Sequence, residues 1–463
     1  VGGWACLWDS AAAGARPIMT RAATFLGQGR KRVAIIGSGI SGLLAAERLA
    51  TQHDIVLFEA DSRLGGHTHT VDVDGPDGVT AVDTGFIVCN DQSYPEFLAL
   101  MNRLGVPLRA STMSFSMSCE ASRVEYCGSS LGGLFAQRRN LLRPSFWSML
   151  RGILRFHKVA ESYADTDMTL ADVLKNERLD GSFARWYLMP MMAAIWSANP
   201  DCLASMPARF FVRFFSNHGM LQIKDRPQWR TVVGGSRSYL EPLSRSFSDR
   251  IRLNHPVVEV SREGGCAIVR TRDGAVERFD AVVMATHSDQ SLRMLADPST
   301  EEHAVLSAIP YQPNDVVLHT DTTLMPAQRK VWSAWNYRLP ANPEDRATVT
   351  YDMNALQGLP GKERYLISLN SSGRIDPAKV LRRFSYDHPV FDERCVAAQA
   401  RVAEVSGAGR VWFCGAWCGF GFHEDGVKSA LRVAADFGIG NGVSDSSEAS
   451  PRRAPTLVSG EVS

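Results

Sequence analysis

The amino-acid sequence predicts an α/β fold in which a nucleotide-binding domain built on a parallel sheet is interleaved with an α+β domain of antiparallel sheet and helices. Three observations predict it. A strand–glycine turn–helix–strand unit stands near the start, at 31–59. Strand patterns with no long helices between them fill 310–369, and a second strand–glycine–helix unit closes the chain at 411–437.

The first unit reads KRVAIIGSGISGLLAAERLATQHDIVLFE. The apolar run 33–36 breaks at Gly37-Ser38-Gly39-Ile40-Ser41-Gly42, a helical pattern follows, and a second apolar run, 55–58, ends on Glu59. This is the dinucleotide fingerprint in its required context, so the domain is of Rossmann type. Gly37 permits the tight turn, Gly39 lets backbone N–H groups approach a pyrophosphate, and Gly42 lets the helix pack closely on the strand. The helix N-terminus supplies partial positive charge for the diphosphate. Glu59 is placed to accept hydrogen bonds from an adenosine ribose.

Bulk properties narrow the function classes. A chain of 463 residues holds two or three domains' worth of core, and 45% hydrophobic with 21% charged residues suits a soluble globular enzyme. A net charge of +1 argues against a nucleic-acid partner. The nine cysteines form no CxxC pair, which leaves a zinc or other metal site without support and suggests reduced thiols in a cytoplasmic protein. Cys414 and Cys418 are close enough in sequence to consider as a redox pair, but buried free thiols are the plainer reading. No run approaches the roughly 18 apolar residues of a membrane span. Residues 1–30 lack a signal-peptide pattern and read as a disordered extension, with Met19 an alternative start; 441–463, rich in Ser, Pro and charge, reads as a disordered tail.

The intervening elements follow in order. Gly65-Gly66-His67, just beyond Glu59, lets a second loop run over a diphosphate and favours a flavin over a nicotinamide dinucleotide. Runs 71–73 and 79–82 form a hairpin about Asp74–Gly78, leading into Asp83-Thr84-Gly85-Phe86. Between 131 and 160 there is no acid, while Arg138, Arg139, Arg143, Arg151, Arg155 and Lys158 occur. Pro144 suits a first helical position, and Arg151, Arg155 and Lys158 share a face. The segment 138–158 is a basic amphipathic helix of the type that lies on an anionic membrane surface, at the periphery of the inner membrane face; the plainer alternative is an ordinary surface helix. Helices are expected over 171–174, 183–192 and 204–215, with the aromatic run 210–215 as core or pocket wall. Strands are expected at 231–233, 251–253, 257–260 and 281–286, the last rejoining the first sheet, and a hairpin at Asp273-Gly274. Runs 316–320, 331–337, 347–351 and 365–369 supply the antiparallel sheet. After 411–415, residues 416–426 read as a loop and 427–437 as a helix. The resulting plan is nucleotide-binding parts at 31–110, 231–300 and 401–440, a helical, membrane-facing part at 111–230 and a substrate-domain sheet at 301–400.

Together these segments resemble the flavin-containing amine oxidase superfamily, which includes amine oxidases, protoporphyrinogen oxidases and carotenoid desaturases. The matching residues are Gly37-x-Gly39-x-x-Gly42, Glu59, Gly65-Gly66, Asp83-x-Gly85, 257–260, 281–286 and Gly415 through Asp425-Gly426. More narrowly, AAIWSANP, RPQWRTVVGGSRSY and CGAWCGFGFHEDG resemble a bacterial group of NAD/FAD-binding proteins. Genes of that group neighbour cyclopropane-fatty-acid-synthase-like methyltransferases, and some members are linked to furan fatty acids. The resemblance implies FAD. It places Gly37, Ser38, Gly39 and Gly42 on the pyrophosphate, Glu59 on the ribose, and Gly65, Gly66 and His67 along the diphosphate. It places Val258 at adenine through its backbone, and Gly415 and Asp425 near the ribitol and flavin. Two departures stand out: His67 replaces the arginine common after the glycine pair, and 315–318 lacks the lysine that many amine oxidases carry near the flavin.

The function expected from these readings is flavin-dependent oxidation or desaturation of a methyl-branched acyl chain of a membrane lipid, with electrons passing to oxygen or a quinone. His423 is the first candidate acid–base group, because it falls in the closing loop and an imidazole titrates near neutral pH; His218 and Lys224 rank second. The rivals are an amine oxidase acting on a soluble amine and a non-enzymatic lipid-binding escort of the same fold.

Overall fold

The runs Arg32–Ile36 and Asp54–Phe58 are almost wholly apolar because both faces of the strands they form are covered. They pair in parallel with Val33 opposite Ile55. Ala281–Met284 joins the other side of the first strand, Val33 opposite Ala281, and Val411–Phe413 extends the sheet beyond it. Ile251–Arg252 completes five parallel strands beyond Asp54–Phe58. Strands from three distant stretches therefore end at one carboxyl edge, where α/β sheets bind ligands. The computed structural model describes residues 29–196, 203–222, 226–342 and 347–440. The expected tail, nearly all of the expected extension, Lys224 and part of the AAIWSANP segment lie outside the described residues.

A second sheet of seven strands runs in the order Val380–Pro389, Tyr311–His319, Leu366–Leu369, Thr348–Asp352, Trp335–Leu339, Phe115–Cys119 and Val124–Cys127. Its pairs are antiparallel except Trp335–Leu339 with Phe115–Cys119. Two of these strands belong to the stretch expected as helical from 111. They were obscured because serines interrupt the apolar pattern; Ser116 is buried against the Asn336 amide at 2.7 Å. The ten-residue strand Val380–Pro389 extends the sheet past the region in which strands were expected. The basic helix spans Pro144–Val159, with Pro144 in its first turn as expected, and buries Phe146, Met149, Gly152 and Phe156.

One buried carboxylate ties a hairpin of the nucleotide-binding half to the helix Met353–Gln357, which follows a strand of the second sheet. Asp83 ends the hairpin Thr70–Gly75/Gly78–Asp83 and is fully buried. It accepts hydrogen bonds from the Thr70 hydroxyl at 2.5 Å, the Ser236 N–H at 2.9 Å and the Gln357 amide at 2.9 Å. The Asp83 N–H donates back to Gln357 Oε1 at 2.8 Å. Burial raises its pKa to about 6, opposed by the Thr70 and Ser236 hydrogen bonds. Truncation strands these donors without an acceptor. Asp83→Ala is therefore expected to cost about 3 kcal/mol in urea unfolding; a loss within about 0.5 kcal/mol, as at an ordinary surface site, would show that no such clasp exists.

Candidate functional site

The site begins where the first strand stops. Gly37 has φ +100°, and a Cβ there would lie 2.7 Å from the Ala285 carbonyl oxygen, so only glycine fits between the adjacent strand ends. A Cβ on Gly42 would collide with the Gly37 carbonyl. The helix Ile40–Ala50 starts with no side-chain cap and no acid in its first turn. A Cβ at Gly39 would meet nothing within 4 Å. An uncapped helix N-terminus facing open space is a ready phosphate site.

The neighbouring segments close around it. Gly65 N–H donates to the Ser38 carbonyl at 3.0 Å, and Gly39 bridges Gly65, so the glycine pair is fixed on the turn. Glu59 accepts from the Ser38 N–H at 2.9 Å and the Asp61 N–H at 2.8 Å. It stands at the edge of the turn, within reach of a ribose at the phosphate cradle. In the strand Val257–Glu263 the register slips between Val257 and Glu259. Val258 is thereby left out of the pairing register and is 42% exposed.

The third segment corrects the expected roles of its polar residues. Gly415 follows the strand Val411–Phe413, and its N–H donates to Ser429 Oγ at 3.0 Å. The helix begins at His423, earlier than the sequence pattern suggests. Asp425 lies in its first turn and accepts from the Phe422 N–H at 2.9 Å, so the carboxylate holds the loop; burial raises its pKa to about 6. His423 is not a group that titrates near neutral pH. It is buried, stacks on Phe86 at 3.7 Å, and burial lowers its pKa to about 3. Its Nε2 lies 2.8 Å from the Tyr239 hydroxyl and 3.1 Å from Thr68 Oγ1, tying together all three nucleotide-binding segments. His218 is likewise structural: its Nδ1 meets the Phe214 carbonyl of its own helix at 2.9 Å, and burial lowers its pKa to about 4.

A different cluster of histidines occupies the space beyond the glycine pair. His67 lies 5.9 Å from His287, 5.7 Å from His388 and 5.1 Å from Tyr386, measured between ring centres. His287 stacks on Tyr311 at 4.5 Å, and His388 Nδ1 lies 2.9 Å from the Asn314 amide. Burial, then repulsion from His388 and His287, lowers the His67 pKa well below the usual imidazole value. All three histidines are only partly exposed. His67 Nε2 is sealed from solvent and has no hydrogen-bond partner. Sequence reasoning missed His287 and His388. His287 had a signal, since it directly follows the strand Ala281–Met284 at the ligand-binding edge. His388 had one in the alternation of Phe384, Tyr386 and His388 along their strand.

The profile of the flavin containing amine oxidoreductase family matches residues 40–356. This chain belongs to that family. It is 27% identical over 265 residues to a protein named as a flavin-containing monoamine oxidase, AofH, of Mycobacterium tuberculosis; the match spans 54% of this chain and 56% of that relative. Its fold is similar to that of a putrescine oxidase variant, with TM-score 0.64 and 17% identity over 88% of this chain and 98% of the other. It is equally similar to a fatty acid isomerase of P. acnes that produces CLA, with TM-score 0.64 and 16% identity over the same shares. The cofactor is FAD, and the open space at Gly39 beside an uncapped helix N-terminus fits its diphosphate. Gly37, Ser38, Gly39, Gly42, Gly65 and Gly66 would hold the diphosphate, Glu59 the ribose and Val258 the adenine, with His67 facing the inner end. Among the described residues no cluster of His, Cys, Asp or Glu could hold a metal. The seven described cysteines are free, and Cys414 and Cys418 are both buried, in keeping with the plainer reading as buried thiols; burial raises the Cys418 pKa to about 12.

Gly39→Ala tests the cradle, since the added Cβ meets no protein atom within 4 Å but enters the phosphate space. The variant should keep its far-UV circular dichroism and lose bound FAD; retained FAD would move the diphosphate elsewhere.

Proposed function

We propose that the chain is an FAD-dependent oxidoreductase that removes hydrogen from an acyl chain of a membrane lipid. The carrying observation is the apolar wall reached from the closing loop. Phe420 and Phe422 lie 5.6 and 5.2 Å from Phe214, Phe420 also lies 4.9 Å from Phe210, and Trp196 lies 4.6 Å from Phe214. Met113, Tyr187, Met189 and Met191 pack against the same core yet stay partly accessible. Tyr187 is only partly exposed, and burial pushes its pKa up to about 12. An aromatic and thioether lining suits a flexible hydrocarbon chain.

When bound, the flavin accepts a hydride from substrate carbon and passes two electrons on to oxygen or a quinone. The chain's own residues do the rest. A proton leaves the adjacent carbon so that a C–C single bond becomes a double bond, and in this reading the His67 imidazole, which burial holds below the usual imidazole range, receives it on whichever ring nitrogen the bound chain reaches. His388, held by Asn314, and His287, held against Tyr311, shape the space around that ring. The aromatic wall excludes water and aligns the chain. The base thus moves from His423, whose Nε2 is committed to Tyr239 and Thr68, to His67.

Oxidation of a soluble amine is the second reading, favoured by the family match. Against it stands the strand Tyr311–His319, which carries no lysine and turns Asn314 toward the histidines. Anaerobic mixing of the flavoprotein separates the two. Phospholipids with methyl-branched acyl chains should bleach the flavin absorbance and amines should leave it unchanged; bleaching by amines alone would reverse the assignment.

A further inference from the structure

Large apolar side chains are exposed at few places among the described residues; apart from four scattered valines (Val79, Val233, Val258 and Val276), they gather in one segment. Leu131, Leu141, Leu142, Trp147 and Leu154 are 77, 46, 87, 43 and 59% exposed. All fall in the stretch 131–160, which contains six Arg and Lys residues and no acid. On the helix Pro144–Val159 the outward stripe reads Trp147, Arg151, Leu154, Lys158, the spacing of a single helix face. Just before the helix, Arg138 and Arg139 stand beside Leu141 and Leu142 on the turn Arg138–Leu142. Trp147 Nε1 donates to the Leu141 carbonyl at 2.9 Å, which fixes the turn against the helix.

The cations are not consumed equally by the protein. Arg155 is paired with Glu177 at 2.9 Å, Arg139 is hydrogen-bonded to the Arg123 carbonyl, and Arg143 donates to the Ser122 carbonyl at 2.7 Å. Arg138, Arg151 and Lys158 enter no ion pair among the described residues, and all three are exposed. Opposite the outward stripe, Phe156 lies 5.3 Å from Phe183, and a Cβ on Gly152 would lie 2.6 Å from Phe183 Cβ. The helix is therefore clamped rigidly to the core, with its charge and its leucines presented outward.

We infer that this face docks the protein flat on an anionic phospholipid bilayer, with Leu141, Leu142, Trp147 and Leu154 entering the interface and Arg138, Arg151 and Lys158 meeting the headgroup phosphates. Charge complementarity selects an anionic surface, and interleaved apolar side chains select a bilayer over a purely acidic protein partner, which would leave the leucines in water. No described helix is long and apolar enough to cross a membrane, so the contact lies on the surface. Beneath the helix, Phe183 lies 5.6 Å from Tyr187, so the docking face is backed by the aromatic core. The inference does not depend on the substrate: vesicle binding and acyl-chain oxidation are read separately, and either can fail alone.

The test is co-sedimentation of the full-length FAD-bound protein with vesicles of phosphatidylcholine alone and of phosphatidylcholine with phosphatidylglycerol. Binding should require phosphatidylglycerol and weaken as salt rises. The triple variant R138E/R151E/K158E should lose about a hundredfold in affinity, at roughly fivefold or more per basic group removed. Leu142→Ser, at a fully exposed position, should weaken binding while leaving the salt dependence and the FAD content unchanged. Three results would overturn the inference: no binding to phosphatidylglycerol vesicles at low salt, equal binding to both vesicle types, or a solution dimer that Leu142→Ser dissociates, which would make the face a contact between copies of this chain.

Discussion

The carboxylate of Asp83 is the constraint on which the remaining geometry depends. A buried charge is tolerated only where several donors converge on it, and here they come from three stretches of chain that are remote in sequence. Thr70 belongs to the hairpin that leaves the glycine-pair loop, Ser236 to the turn entering the second nucleotide-binding part, and Gln357 to the short helix Met353–Gln357 that follows strand Thr348–Asp352 of the seven-stranded sheet. Satisfying Asp83 therefore sets the relative position of the phosphate cradle and the substrate sheet. A second buried polar centre works beside it. Thr68, Tyr239 and His423 share hydrogen bonds that bring the closing helix onto the same loop. Interlocking polar contacts of this kind define one arrangement, because any slip strands a buried donor.

The electrostatics of the site follow from that arrangement. Histidines crowded together cannot all carry protons, and burial disfavours each charged form further. Burial therefore holds the imidazoles of His67, His287 and His388 below their usual pKa range. An arginine in place of His67 would put a permanent cation with donors only at the inner end of the cradle, whereas in the function proposed above the histidine serves there as a proton acceptor.

Much of the nucleotide-binding half was legible because local signals there coincide with tertiary need. The glycines of 37–42, the hairpin turn and the apolar run 281–284 each have one structure compatible with their pattern, and the sheet uses all of them. The strands Phe115–Cys119 and Val124–Cys127 were not legible, since their serines and cysteines satisfy hydrogen bonds and packing that exist only after Trp335–Leu339 has docked. His423 was misjudged for a physical reason. Its glycine-rich surroundings suggest an open loop, whereas Asp425 three residues past Phe422 is a helix-start signal that places the histidine inside the fold. Burial then removes the near-neutral titration that an exposed imidazole would have.

The central claim is that the turn at Gly37–Gly42, with Glu59 and Val258, grips the adenosine half of one flavin dinucleotide. Competition between FAD and FMN for the flavin-stripped protein, read by flavin fluorescence, tests it most directly, because FMN carries the same ring system without the adenylate. The account predicts one FAD bound per chain, with FMN binding at least about a hundredfold more weakly, the equivalent of about 2.7 kcal/mol of adenosine-half contacts. FMN binding as tightly as FAD, or no flavin binding at all, would contradict it.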